Sequence, residues 1–207
     1  MNRRNLEKQR GLENNSLENS MRLLVTLRIY GEKLGEDAEE RYNELEIKKK
    51  LVKKCLEYKD GLEAKKLCEE ILEQEEDVET LANLGIAYYY LGNIQKAFEY
   101  CKEVIRLGQK QQIDFKALSR AYTGIGLAYE RIEDFDKAVI AFKKAISLDE
   151  NNMLASRSFS CLQRYGNKTW GIAKTIELED GSRTVGWWHY KDPGIEKINN
   201  AENILGI

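Results

Sequence analysis

The sequence predicts an all-α fold: antiparallel helix pairs stacked side by side and closed by a capping helix, with a small β-hairpin appended at the C-terminal end. Three observations lead there. Two stretches, LANLGIAYYYLGNIQKAFEYCKEVI (Leu81 to Ile105) and YTGIGLAYERIEDFDKAVIAFKKAI (Tyr122 to Ile146), carry the same Gly, Ala-Tyr and Lys-Ala punctuation in the same order. A fixed internal period is the signature of a stacked-repeat architecture. A charged fraction of 33% with a single proline suits long solvated helices. After Gly166 the pattern changes to β-prone runs around Asp180-Gly181, a short-range hairpin signal.

Taken in order, residues 1–44 read as a polar lead with a helical extension. Residues 1–20 are rich in Asn, Glu and Arg, and Leu23, Leu24, Leu27 and Tyr30 then recur at helical spacing until Gly31 and Gly35 interrupt them. The array itself is expected over 45–165. Ala38, Tyr42, Leu45, Val52 and Leu56 mark one face of the first helix of a weak repeat. Its second helix is GLEAKKLCEEIL (Gly61 to Leu72), because Ala64 and Cys68 precede Ala97 and Cys101 by 33 residues each. Two clearer pairs follow. In each, Gly85 or Gly126 stands three residues before Tyr88 or Tyr129, where a small residue lets two helices approach closely. The Gly85 to Gly126 spacing of 41 is assigned to extra helical turns through Gln109 to Phe115. MLASRSFSCLQRY (Met153 to Tyr165) closes the stack, as one-dimensional arrays require.

Residues 166–207 make the hairpin and a short helix. A two-residue turn at Asp180-Gly181 would pair Ile176 with Val185 and Lys174 with Trp187, placing Ile172, Ile176, Val185 and Trp187 on one face. An isolated hairpin is marginal in water, so it must lie against the repeats, another subunit or a partner. In the first case Trp170 and Trp187 glue it to the last helix and leave Trp188 partly exposed; in the others, Trp188 and Tyr190 supply the contact. Asp192-Pro193-Gly194 breaks the chain before an amphipathic segment marked by Ile195, Ile198, Ala201 and Leu205. That segment could fold back into the groove of the array.

The pattern Leu84-Gly85, Tyr88, Gly92, Ala97, and again Gly126, Tyr129, Ala138, Phe142, Ala145, resembles the tetratricopeptide repeat (TPR). Departures include Glu133 where glycine is usual and Glu150 where proline often ends the unit. The resemblance implies a right-handed superhelix of about three helix pairs plus a capping helix, and a protein-binding role. No family is recognised for 166–207. In such arrays the first helix of each pair lines the concave surface. This implies a groove of Lys49, Lys50 and Lys53, then Asn83, Ile86, Tyr89 and Tyr90, then Arg120, Leu127 and Arg131, and on the closing helix Arg157 and Arg164. Tyr88 belongs to the interhelical core, since successive residues point about 100° apart. The 41-residue spacing and ALSRAYTGIGLAYERIEDFDKAVIAFKKAIS further resemble the stress-inducible co-chaperones that hold acidic C-termini of heat-shock chaperones in a carboxylate clamp. Lys49, Asn83 and Arg120 stand at clamp positions, whereas Lys53 replaces an Asn and Gly124 replaces an Arg.

Such a basic groove suits an extended, acidic protein or peptide ligand, because Lys and Arg form charge-assisted bonds to carboxylates. The bland alternative is that Lys49, Lys50, Lys53 and Lys54 form a solvated helix face. Two other functions are weighed: a structural subunit or assembly factor of a larger complex, and single-strand RNA binding. For RNA, the chain lacks a residue pair repeated in each unit to read bases, and a net charge of −2 argues against coating nucleic acid. Enzymatic activity and a cofactor are not expected. His189 lacks a nucleophile, and Gly124-Ile125-Gly126 lies inside a helix, not after a strand. Cys55, Cys68, Cys101 and Cys161 form no C-x-x-C pair, so no zinc site is expected, and Cys68 and Cys101 read as equivalent packing residues. No apolar run approaches the roughly 20 residues that span a bilayer. The start lacks the apolar centre of a secretory signal. A cytoplasmic location is the expectation.

Overall fold

The computed structural model describes residues 38–110, 114–167 and 171–207, with side chains from Glu44 onward. The expectations for residues 1–37, for Gln111 to Ile113 and for Trp170 lie outside the described residues. Seven helices come first: α1 (Ala38–Glu57), α2 (Gly61–Leu72), α3 (Val78–Tyr90), α4 (Ile94–Lys110), α5 (Phe115–Arg131), α6 (Phe135–Leu148) and α7 (Met153–Gly166). They form three successive pairs closed by α7. The hairpin β1 (Ile172–Glu177) and β2 (Arg183–Trp188) follows, and then two short helices, α8 (Gly194–Asn199) and α9 (Ala201–Leu205).

Local chemistry sets where the helices start. Asp60, Asp77, Asn93, Asp114, Asp134 and Asn152 each precede one helix from α2 to α7, and each side-chain oxygen accepts from a first-turn N–H. Such a cap is worth roughly 1 kcal/mol against alanine. The turn inside each pair needs one residue in the left-handed region, and Lys59 (φ 62), Gly92 (φ 79) and Glu133 (φ 62) take that role in turn. Helix α4 runs 17 residues against 12 for α2, and α5 runs 17 against 13 for α3. The longer 41-residue spacing therefore comes from extra turns on these two helices.

The repeated punctuation is interhelical packing. Ala97 and Ala138 are fully buried, and the preceding lysines lie over the tyrosine rings of the partner helix, Lys96 at 5.0 Å from Tyr88 and Lys137 at 5.1 Å from Tyr129. Each such contact contributes about 0.5–1 kcal/mol. At Gly126 an added Cβ would stand 2.6 Å from the Phe142 ring, so the α5–α6 approach requires glycine. Cys68 and Cys101 are both fully buried at equivalent positions.

The hairpin differs from the two-residue-turn expectation by one residue. Leu178 N–H donates to Ser182 O and Gly181 N–H donates to Leu178 O, which leaves a three-residue loop with Gly181 at φ 78. That loop type places glycine at the left-handed position. Ile176 therefore pairs with Thr184 and Lys174 with Gly186. A shift of one residue exchanges the two faces of β2. Ile172 and Ile176 share their face with Trp188, while Val185 and Trp187 lie opposite. Trp188 is 7% exposed and Trp187 is 55% exposed, the reverse of the expectation. Trp188 packs on Phe135 with ring centroids 5.3 Å apart and donates Nε1–H to Asp136 Oδ1 at 2.9 Å. It is part of the core and not a free contact for a partner. Tyr190 is half-buried beside Phe159, and its N–H donates to Gly166 O. Glu133, the unexpected residue of the third turn, accepts from Thr175 N–H at 2.6 Å and so ties β1 to the array.

The chain end folds back on the array. Tyr129 Oη donates to Leu205 O at 2.8 Å, Tyr122 Oη donates to a Glu202 carboxylate oxygen, and Lys102 Nζ donates to Gly206 O at 3.0 Å. Ala201 and Leu205 are buried there. Tyr122 and Tyr129 stand roughly 180–200° around α5 from Arg120 at about 100° per residue. The terminal segment thus packs on α6 and reaches the face of α5 opposite Arg120 through Tyr122 and Tyr129, which corrects the idea that it fills the groove. No helix among the described residues is long and apolar enough to cross a membrane.

Candidate functional site

Of the cations singled out on the first helices of the three pairs, Lys53 and Arg120 share one carboxylate of the protein itself, and Lys49 faces two others. On α1, Lys49 Nζ lies 2.6 Å from Glu75 Oε1 and 3.7 Å from Asp77 Oδ2. One turn on, Lys53 Nζ lies 3.2 Å from Glu79 Oε1 of α3. The same oxygen accepts from Arg120 Nε of α5 at 2.7 Å. Arg120 Nη1 also donates to Asn83 Oδ1 at 3.0 Å. Three successive first helices therefore contribute to one cluster around the Glu79 carboxylate.

Local structure explains this convergence. Asp77 caps α3, also accepts from the Thr80 hydroxyl, and faces Lys49 of α1, which ties the start of α3 to α1. Glu79 and Asn83 are four residues apart and so share a face of α3. Asn83 is only 3% exposed, so its amide is a positioning group for the guanidinium and not a solvent-facing hook. Burial works against the charge of Lys49, but the Glu75 contact and the fields of Asp77, Glu75 and Glu46 outweigh it and raise its pKa. Lys49 stays protonated throughout the neutral range. Neighbouring Lys48 pairs with Glu44 at 2.9 Å and Glu70 at 3.2 Å.

Other residues of the expected groove lie elsewhere. Ile86 (1% exposed) and Leu127 (4%) are core residues and are not groove-lining. An added Cβ at Gly124 would stand 3.4 Å from Ile86 Cγ1 and would also collide with Cys101 Sγ. The glycine lets α3, α4 and α5 close together, and an arginine there could not reach the groove without breaking that contact. Tyr89 and Tyr90 are half-buried, with ring centroids 5.2 Å apart. Burial, and then Glu130 for Tyr89 and Tyr89 and Glu130 for Tyr90, raises both phenols, Tyr90 to about 12. Burial likewise raises the Glu130 carboxyl against the opposing charge of Lys59. Arg131, Arg157 and Arg164 are exposed and make no ion pair with a described residue.

Glu75, Asp77 and Glu79 are the residues that charge reasoning about the groove missed. Their signal was present: Glu79 lies one helical turn before Asn83, on the face already assigned to the groove. In this structure Lys53 and Arg120 share the Glu79 carboxylate, and Lys49 faces two others, those of Glu75 and Asp77. Among the described residues no cluster of His, Cys, Asp and Glu has the geometry of a metal site.

Residues 76–151 match the sequence profile described as tetratricopeptide repeat. The chain is 30% identical over 81 residues to the Hsp70-Hsp90 organizing protein of Triticum aestivum, covering 37% of this chain and 14% of that protein. It is 30% identical over 120 residues to the human N-alpha-acetyltransferase 16, NatA auxiliary subunit, covering 55% of this chain and 13% of that protein. It is also 25% identical over 81 residues to the heat shock protein sti1 homolog of Schizosaccharomyces pombe, covering 39% of this chain and 14% of that protein. The chain thus matches about one seventh of the length of these relatives.

Proposed function

We propose, from the premise that this chain is a tetratricopeptide repeat protein and so a protein–protein interaction module, that its first-helix face takes an extended acidic peptide segment ending in a carboxylate. One observation supports this most: Lys53 and Arg120, from the first and third pairs, meet on a single carboxylate oxygen contributed by the second. A surface that gathers cations from three repeats around one carboxylate has the chemistry to accept another. Lys49 lies one turn from Lys53, and Arg131 and Arg157 offer further positive charge for an acidic chain. Tyr89 and Tyr90 supply half-buried aromatic surface. In this reading the protein is an adaptor with a co-chaperone-like role, and an acidic chaperone C-terminus is one guest of the required chemistry. Four free thiols suit a reducing, cytoplasmic setting.

The test is binding of an acidic peptide with a free C-terminus, compared with its C-terminal amide. A charge-assisted bond contributes about 1.5–3 kcal/mol, so Lys49→Ala with Arg120→Ala should weaken binding by at least about tenfold. Helicity should be unchanged. Equal affinity for acid and amide, or no effect of the double substitution, would refute the reading. A second reading, a subunit that assembles a larger complex, is favoured by the longer likeness to the NatA auxiliary subunit. It predicts stable co-purification with a partner that neither substitution disturbs.

A further inference from the structure

Glu79 stands in the first turn of α3, but it is not the cap: Asp77 caps the helix and holds Thr80. Its carboxylate instead reaches across to both neighbouring first helices. Oε1 accepts from Arg120 Nε at 2.7 Å and lies 3.2 Å from Lys53 Nζ, while Asn83 holds the guanidinium in place through Nη1. The cluster remains open to water: the side chains of Glu79 and Arg120 are about a quarter exposed and that of Lys53 is 42% exposed. Glu79 can therefore leave its cations by rotating its own side chain, with no helix displaced.

Resting on the peptide-binding reading above, we infer that Glu79 is an internal occupant of the cation site, which keeps it closed until a guest carboxylate displaces it. A guest then competes with a tethered carboxylate of the same chemistry. Its apparent affinity is its intrinsic affinity multiplied by the fraction of molecules in which the site is vacant. Removing the internal charge while keeping the side-chain shape should expose the full intrinsic affinity. The device also discriminates: a neutral peptide terminus cannot replace the charge that Glu79 supplies, so only an anionic guest opens the site.

The experiment uses the full chain and its Glu79→Gln variant, with fluorescence anisotropy of a dye-labelled acidic octapeptide carrying a free C-terminus and of its C-terminal amide. Glu79→Gln should bind the free-acid peptide about tenfold more tightly than the unsubstituted chain, with little gain for the amide. Adding Lys53→Ala should remove most of that gain. If Glu79→Gln does not fold, Glu79→Asp, one methylene shorter and so a poorer internal ligand, should show an intermediate gain. Equal affinity of both chains for the free-acid peptide overturns the internal-occupant inference and leaves the peptide reading intact. Absence of binding to either folded chain overturns the peptide reading, and the internal occupant with it.

Discussion

Replacing Trp188 by alanine tests the hairpin register and its docking together, because the neighbouring Trp187 provides an internal control. Trp188 is 7% exposed, lies against Phe135 and Tyr190, and donates to Asp136. A tryptophan so placed buries about 200 Å². At roughly 25 cal/mol per Å² this is worth about 5 kcal/mol as an upper bound. Large-to-small replacement of a buried tryptophan costs about 3–5 kcal/mol. The ring also fills the space over Gly166, so its loss leaves a cavity between α7 and the hairpin. Trp187 is 55% exposed and buries about half as much surface. Its replacement should cost about half as much, roughly 1.5–2.5 kcal/mol. Urea unfolding followed by circular dichroism, with fluorescence to detect separate loss of the hairpin, measures both variants. An equal loss, or a larger one for Trp187→Ala, would refute the three-residue loop and the face assignment built on it.

Lys59→Gly should stabilise the chain by about 1 kcal/mol in thermal or urea melts, because a side chain in the left-handed region carries about that much strain. Glu133→Gly relieves the same strain but loses the bond to Thr175 N–H, worth about 1 kcal/mol; its net effect should be near zero. A gain equal to that of Lys59→Gly would show that the Glu133 contact contributes nothing. For Glu130, burial raises the carboxyl pKa from the ordinary 4.5 despite Lys59. The folded state then binds the proton more tightly than the unfolded one, so stability falls as pH rises from about 4.5 through the raised value. Glu130→Gln should therefore raise the melting temperature at pH 7, and the difference should vanish below pH 4.5. An advantage that persists at low pH would rule out titration as its cause. Burial pushes the thiols of Cys55 to about 11 and of Cys68 and Cys101 to about 12, whereas Cys161 is exposed. A thiol reagent at pH 8 should modify Cys161 rapidly in the folded chain and all four cysteines after denaturation. Rapid modification of Cys68 or Cys101 in the folded chain would contradict the packing described.

The helix pairs were legible because they depend on short-range signals. The span Gly61 to Leu72 coincides with α2, since an aspartate cap, alanine and cysteine at fixed spacing, and apolar residues on one face all lie within a few turns. Gly126 and the Lys-Ala pairs likewise carry their packing partners at a fixed offset in each repeat. The cations Lys49, Lys53 and Arg120 were also legible as residues of the first helices. What they face was not. Lys53 and Arg120 are 67 residues apart, and the carboxylate between them belongs to a third helix. Ile86 and Leu127 show the same limit from the other side: both lie on a predicted groove face, and close approach of neighbouring helices buries them.

By itself the sequence determined the repeat, the spans of α2 and, to within one residue, α7, and the small residues at the helix crossings, because these follow from interactions within one turn or one repeat. Only the tertiary structure decided the rest. Asp180-Gly181 is compatible with a two- or a three-residue loop, and in the observed three-residue loop the hairpin has its Trp188 face in the core beside Phe135 and Gly166. Glu133 replaces a glycine at a cost in backbone strain and bonds a strand 42 residues away. Charge pairing across repeats and docking of the terminal segment on α6 and against Tyr122 and Tyr129 of α5 are long-range as well. Their energies depend on distances that neither periodicity nor composition encodes.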